Sequence, residues 1–142
     1  MASGLPLPAA ASLLLAFVGQ PTWMSDAELE QAFAGKTIDG AYASGLTFTE
    51  SYLTNGKLDY REPGRHMTGH WSVIEGTFCT IYTQTPTGGC YRVRRMSANC
   101  YEFYFAASDE QEAAEGGNER ASWTARGWAN DRPSTCKATP SV

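Results

Sequence analysis

Hydrophobic and polar residues alternate with a period of two along most of the chain beyond Lys36. The alternation is clearest over residues 66–105, where Val, Ile, Thr, Tyr, Phe and Trp fill short runs separated by Asn, Gly, Pro and Ser. These residue types suit a pleated, half-buried surface, and residues two apart share one face of a strand. The pattern predicts an antiparallel meander with one apolar, largely aromatic face.

Further strands are predicted on both sides of that meander. They cover residues 36–43, 46–54, 57–62 and 121–129. Asn55-Gly56, a strong hairpin signal, separates two of them. The second run places Phe48, Glu50 and Tyr52 on one face and hydroxyl residues on the other, which is typical of a sheet with one wet face.

A short helix is predicted before the first strand. Ser25 and Glu28 have the spacing of a capping box, in which each side chain bonds the backbone of the other residue. A helix over about residues 26–34 carries Leu29 and Phe33 on one face, so we expect it to pack as a lid against the end of a barrel or sheet.

Counting these runs predicts an all-β fold: a small antiparallel up-and-down meander or barrel of about seven strands with a short N-terminal helix. The length of 142 residues suits one domain, and the aromatic share of 12% with 14 glycines is typical of a turn-rich β protein. We assign residues 24–142 to a single disulfide-stabilised β domain.

The four cysteines favour two disulfides. If Cys79 lies opposite Cys90 in a hairpin, Thr80 faces Gly89 and the two cysteines share a face, so we predict a Cys79–Cys90 bond. Elimination then pairs Cys100 with Cys136. Four cysteines allow three connectivities, and the sequence does not exclude the other two.

The N-terminus contains an apolar run over residues 8–19 that is of signal-peptide length and too short to span a bilayer. We assign residues 1–23 to a signal peptide and predict no transmembrane span in the mature chain. Cysteine usage favours an oxidising compartment, so the predicted location is periplasmic or secreted. The alternative is a cytoplasmic protein translated from Met24, because no Lys or Arg precedes Lys36.

Charge and motifs exclude several classes of function. A net charge of −4 argues against a nucleic-acid binder, and Arg92, Arg94 and Arg95 are only a local cluster on a solvated strand face. No G-x-S-x-G, P-loop or H-E-x-x-H motif occurs. We predict no catalytic residue, metal or cofactor, and an enzymatic function is the minority alternative.

The two histidines are the remaining candidates for a metal site or for acid–base chemistry. His66 and His70 would lie about 13 Å apart along one strand, too far to share a metal ion. Asp59 and Glu62 beside His66 could form an acid–base cluster, but such carboxylates are usually solvated.

A resemblance supports this picture. The helix, the glycine-containing first strand, the up-and-down hairpins and the Gly69-His70-Trp71 element look like a calycin or lipocalin-like small barrel. The segments AELEQAFAGKTIDGAYASG and FC…Y…CYRVRR resemble small exported proteobacterial proteins of unassigned activity, over residues 26–105. The resemblance implies a fold and a compartment and brings no catalytic residues.

Two functions remain. The first is a binding module for a small apolar or aromatic ligand. The ligand-binding residues predicted for it are Tyr42, Tyr52, Trp71, Tyr82, Tyr91 and Phe103. The second is a protein-interaction module, such as an envelope accessory subunit or a periplasmic hydrolase inhibitor. Its contact surface would be Pro63–Gly64, residues 84–89 and the Arg92/Arg94 face. The partner is therefore a small molecule or another envelope protein.

Overall fold

The computed structural model describes residue 4 and residues 22–85, 87–106 and 123–137. Within these ranges, the helix α1 (Asp26–Phe33) precedes the strands. The strands are β1 (Lys36–Tyr42), β2 (Thr47–Tyr52), β3 (Lys57–Glu62), β4 (Arg65–Ile74), β5 (Thr77–Tyr82), β6 (Gly88–Ser97), β7 (Cys100–Phe105) and β8 (Ala125–Ala129).

These strands form a closed up-and-down barrel in sequence order. All neighbours are antiparallel, and β8 closes the ring by pairing with β1, with Gly40 opposite Gly127. The predicted all-β fold is confirmed, with eight strands instead of about seven. Closure leaves no free edge strand among the eight described strands, which is a common solution for a meander of this size.

The helix closes one end of the barrel. Ser25 and Glu28 form the predicted capping box, with both reciprocal hydrogen bonds present. Leu29 and Phe33 are fully buried, and the ring of Phe33 lies 5.0 Å from that of Phe78 between centroids. The expected lid is therefore present, and we call the opposite end of the barrel its mouth.

The β5–β6 hairpin has the register expected from the sequence. Cys79 lies opposite Cys90 and Thr80 opposite Gly89, and the two cysteines are bonded to each other. The Tyr82 amide donates to the Thr87 carbonyl, as that register requires. This cross-strand disulfide fixes the hairpin on the outer face of the barrel.

The segment after β8 packs on the outside of β7. Cys136 is bonded to Cys100, the pairing reached above by elimination. The Asn99 side chain donates to the carbonyls of Ala129 and Pro133 and accepts from the Ala129 amide. Asn99, expected only as a turn residue, is 1% exposed and anchors this segment.

The start of the described chain is attached to β6. Trp23 forms an isolated bridge with Arg94, and the Met24 amide donates to the Val93 carbonyl. Trp23, the last residue of the predicted signal peptide, therefore packs against β6. The rest of that predicted leader, apart from residues 4 and 22, lies outside the described residues, as does most of the β7–β8 connection. No helix in the described part of the chain is long and apolar enough to cross a membrane.

Candidate functional site

The barrel interior contains a cavity of about 50 Å³, which we call the Glu50 pocket. Its lining is Tyr42, Phe48, Glu50, Tyr52, Phe78, Thr80, Tyr82, Tyr91, Phe103, Thr124 and Ala125. The half-buried members, Tyr42, Tyr82, Tyr91 and Thr124, lie towards the mouth. The pocket is therefore mostly aromatic, with one carboxylate in it.

The location of the pocket follows from the small residues of β8. The inward positions of this strand are Ala125, Gly127 and Ala129, which fill little of the space beside them. Gly40 on β1 lies under the ring of Phe48, and a Cβ atom there would come within 2.5 Å of that ring. Small residues on two adjacent strands thus make room for the aromatic walls and leave the interior incompletely filled.

Glu50 lies at the middle of β2 and points into the barrel. It is 4% exposed, and both of its carboxylate oxygens accept hydrogen bonds from tyrosines. The Tyr52 hydroxyl donates to Oε1 over 2.5 Å, and the Tyr82 hydroxyl donates to Oε2 over 2.5 Å. Bonds this short are typical of hydroxyl donors to an ionised acceptor.

The surroundings shift the titration of this cluster. Burial raises the pKa of Glu50 above its ordinary value, and the two tyrosine hydrogen bonds oppose that shift. Burial, together with the nearby Glu50 carboxylate, raises the pKa of Tyr82 and that of Tyr52 well above the ordinary tyrosine value. The tyrosines are therefore neutral hydrogen-bond donors at physiological pH, and Glu50 is the group in the pocket whose charge can change.

No described Lys, Arg or His side chain forms an ion pair with Glu50. The other buried glutamate, Glu102, differs in this respect. It is 5% exposed on the outer side of β7, and Arg126 donates to its Oε2 from Nη2 over 2.5 Å and from Nε over 3.0 Å. The protein thus balances one buried carboxylate with a guanidinium and provides only neutral donors for the other.

A second chain of hydrogen bonds runs across the mouth. The Tyr60 hydroxyl donates to Glu62 over 2.7 Å, so the Tyr42 hydroxyl, 2.7 Å from that of Tyr60, is the donor to Tyr60. Burial raises the pKa of Tyr42 to about 12. This chain fixes the orientation of the Tyr42 ring, which forms part of the pocket wall.

Most of the predicted ligand-binding residues meet in this pocket. Tyr42, Tyr52, Tyr82, Tyr91 and Phe103 all line it. The exception is the tryptophan of β4. Trp71 is 8% exposed but does not line the cavity. Its indole nitrogen donates to the Leu53 carbonyl over 2.8 Å, and its ring stacks on Phe78 towards the helix-covered end.

Glu50 is not among the ligand-binding residues predicted from the sequence. A signal was available, because Glu50 shares a strand face with Phe48 and Tyr52. A carboxylate on an otherwise aromatic face points into the core and therefore needs hydrogen-bond partners there.

The histidine cluster lies outside the barrel and is exposed. His66 Nε2 is 2.7 Å from a carboxylate oxygen of Asp59, and the hydrogen bond lowers the pKa of Asp59. In the described part of the chain, no three His, Cys, Asp or Glu residues are grouped to hold a metal ion. The His66–Asp59 contact is an exposed hydrogen-bonded pair, and such surface pairs have a small effect on stability.

The arginine face is partly covered. The guanidinium of Arg94 lies 4.0 Å from the ring centroid of Trp23 and 5.2 Å from that of Tyr104. Arg92 stays exposed, at 5.9 Å from the same Trp23 ring. Since Arg94 contacts Trp23 and Tyr104, this face is less available to a partner than its sequence predicts.

Comparison with known proteins adds no relative: no protein-family model, curated protein or solved structure matches this chain. The fold is an eight-stranded closed barrel, and inferences about its function depend on the geometry of the pocket.

Proposed function

We propose that this protein is an exported small barrel that binds a small ligand in the Glu50 pocket. The observation that supports the proposal is a cavity lined by aromatic rings and a buried carboxylate that has no cationic partner among the described side chains. Mostly apolar cavities with a few fixed polar groups are the usual form of small-molecule sites. A barrel of about eight strands is wide enough to hold one small ligand.

The size of the cavity limits the ligand. At about 50 Å³ it is smaller than the apolar cavity of about 150 Å³ that binds benzene in another protein. By that ratio the cavity encloses only about two non-hydrogen atoms, so the ligand is a short molecule, or the end of a longer one, whose other atoms extend through the mouth. An aromatic ring is larger than the cavity as it stands.

Export is part of the proposal, since both disulfides need an oxidising compartment. Alkylation of thiols in protein taken from the native host without reductant tests it. We expect no reactive thiol. Four reactive thiols in the folded native protein would instead favour the cytoplasmic alternative.

Binding can be tested with small probes of two kinds. Propan-1-ol and propylammonium chloride are titrated into the isotopically labelled protein, and backbone amide shifts are followed by NMR. We expect at least one probe to shift the amides of Glu50, Thr80 and Ala125, which line the pocket.

A cavity-filling variant provides the control. Ala125→Leu places a larger side chain in the pocket and should abolish these shifts, whereas Ala98→Leu makes the same change at an exposed turn and should preserve them. If neither probe shifts the lining residues, or if Ala125→Leu binds as well as the original protein, the pocket is not a ligand site.

A further inference from the structure

We infer that the ligand of the Glu50 pocket is a primary alkylammonium ion, bound with its charged nitrogen at Glu50 and its alkyl chain against the aromatic walls. This inference rests on the proposed function and specifies the class of ligand. Three features of the pocket support it: the free acceptor positions of the carboxylate, the aromatic lining, and the lack of an internal counter-charge among the described residues.

The carboxylate has acceptor capacity that the protein does not use. An ionised carboxylate offers about four lone-pair positions. The Tyr52 and Tyr82 hydroxyls account for one bond to each oxygen. At least two positions are left for donors from the cavity, and an ammonium group provides three N–H donors on a compact centre.

The walls suit a cation with an apolar tail. Aromatic rings attract a cation placed within about 6 Å of their faces, and the pocket is lined by rings of Tyr42, Phe48, Tyr82 and Tyr91. Phe103 and Ala125 provide apolar surface for a short alkyl chain. A ligand that carries a carboxylate would instead be repelled by the negative charge of Glu50, and no cation among the described residues offsets that charge.

Glu102 shows how this protein treats a buried carboxylate that has only a structural role. Arg126 makes two hydrogen bonds to Glu102, and Tyr104 donates a third over 3.0 Å. Glu50 is equally buried but has only hydroxyl donors in the described chain. Leaving a buried charge without an opposite charge is costly, so a ligand cation at Glu50 would complete the missing half of an ion pair.

Binding of the cation is coupled to the protonation of Glu50. Among the described residues, the titratable groups that face Glu50 are tyrosines, and Glu62 lies at the mouth. The tyrosines are Tyr52 on its own strand, Tyr42 on β1, Tyr60 on β3, Tyr82 on β5 and Tyr91 on β6. The other elements contribute non-titrating residues to the core: Met67 and Trp71 from β4, Phe103 from β7, Ala125 from β8 and Phe33 from α1.

The tyrosines stay neutral while Glu50 titrates, because burial raises their pKa values. An ammonium ion favours the charged form of Glu50. Its affinity should therefore rise with pH through the raised pKa of Glu50, whereas the affinity of a neutral probe should not.

The decisive experiment compares two probes of equal size. Propylammonium chloride and propan-1-ol are titrated into the full chain at constant ionic strength between pH 5 and pH 8, with NMR shifts of the pocket amides as the readout. We expect propylammonium to bind at least about tenfold more tightly at pH 8, which corresponds to about 1.4 kcal/mol. We also expect this preference to shrink towards pH 5.

Two variants test whether the preference for propylammonium over propan-1-ol is due to the charge of Glu50. Glu50→Gln keeps the shape and the hydrogen-bond acceptor but removes the charge, so both probes should bind with similar affinity. Asp131→Asn removes the same charge at an exposed position and should leave the preference unchanged. The pH series on the original protein provides a test that does not depend on folding of Glu50→Gln.

The outcomes separate the two proposals. If propan-1-ol binds as well as propylammonium at every pH, the ammonium inference is wrong and the pocket remains a ligand site. If propylammonium binds but Glu50→Gln keeps the preference, the charge of Glu50 is not its cause and the inference is equally wrong. If neither probe binds, both the inference and the proposed function fail.

Discussion

Replacing Phe33 with alanine tests whether the helix is an integral part of the core. Phe33 is fully buried, and its ring lies 5.0–6.0 Å from four other rings between centroids. Those rings belong to Tyr52, Phe78, Tyr101 and Phe103. Truncation of a buried Phe to Ala costs about 3–5 kcal/mol, through lost transfer free energy and the cavity that it leaves.

We expect the upper part of that range, because the neighbouring strands form a closed barrel that cannot collapse around the gap. At about 4 °C per kcal/mol for a domain of this size, a loss of about 4–5 kcal/mol should lower Tm by about 16–20 °C. Guanidinium unfolding measures the free energy and thermal unfolding measures Tm, both followed by near-UV dichroism with the two disulfides intact.

Phe105→Ala is the matched control, since the same side chain is removed at a position that is 55% exposed. Its ring meets only the Tyr91 ring among the described aromatic pairs, at 6.0 Å, so we expect a loss of about 1 kcal/mol or less. If the two variants lose equal stability, Phe33 does not hold the helix on the barrel as argued.

The remaining predictions concern Trp71 and Glu50. Trp71→Ala should cost about 3–5 kcal/mol, measured by the same unfolding assay; a variant of unchanged stability that loses probe binding would make Trp71 a site residue instead. For Glu50, burial raises the pKa in the folded state. Stability is therefore lost as pH rises from the ordinary value of 4.5 through the raised pKa. Glu50→Gln lacks this loss, so without ligand its stability relative to the original protein should increase between pH 4 and pH 8, and a constant difference would contradict the assignment.

The fold could be predicted from the sequence because inward-facing apolar residues and outward-facing polar residues alternate along these strands. Phe48 and Tyr52 on β2, and Phe78 and Tyr82 on β5, lie on the inner face as their spacing predicts. The cysteine register could be worked out in the same way, since a shift of one residue would have moved Cys79 to the inner face.

The position of a residue along the barrel axis could not be predicted from this alternation. Spacing puts Trp71 and Tyr82 on inner faces alike, but Trp71 packs beside Leu53 near α1 and Tyr82 lies near the mouth. Position along the axis depends on the stagger between strands, which is a property of the whole closed sheet. The Glu50 network was hidden for the same reason, because its two donors come from β2 and β5.

The energetics of Glu50 favour a functional explanation over a structural one. Tyr52 and Tyr82 would each need an acceptor in any case, and a glutamine at position 50 would provide one without a charge. A glutamate at this position adds the cost of burying an ionisable group and yields no ion pair within the described chain. Groups that reduce stability in this way concentrate at binding and catalytic sites, where a ligand offsets the cost. Packing and hydrogen bonding alone would favour glutamine at position 50, so the glutamate found there marks the place where we expect a ligand to bind.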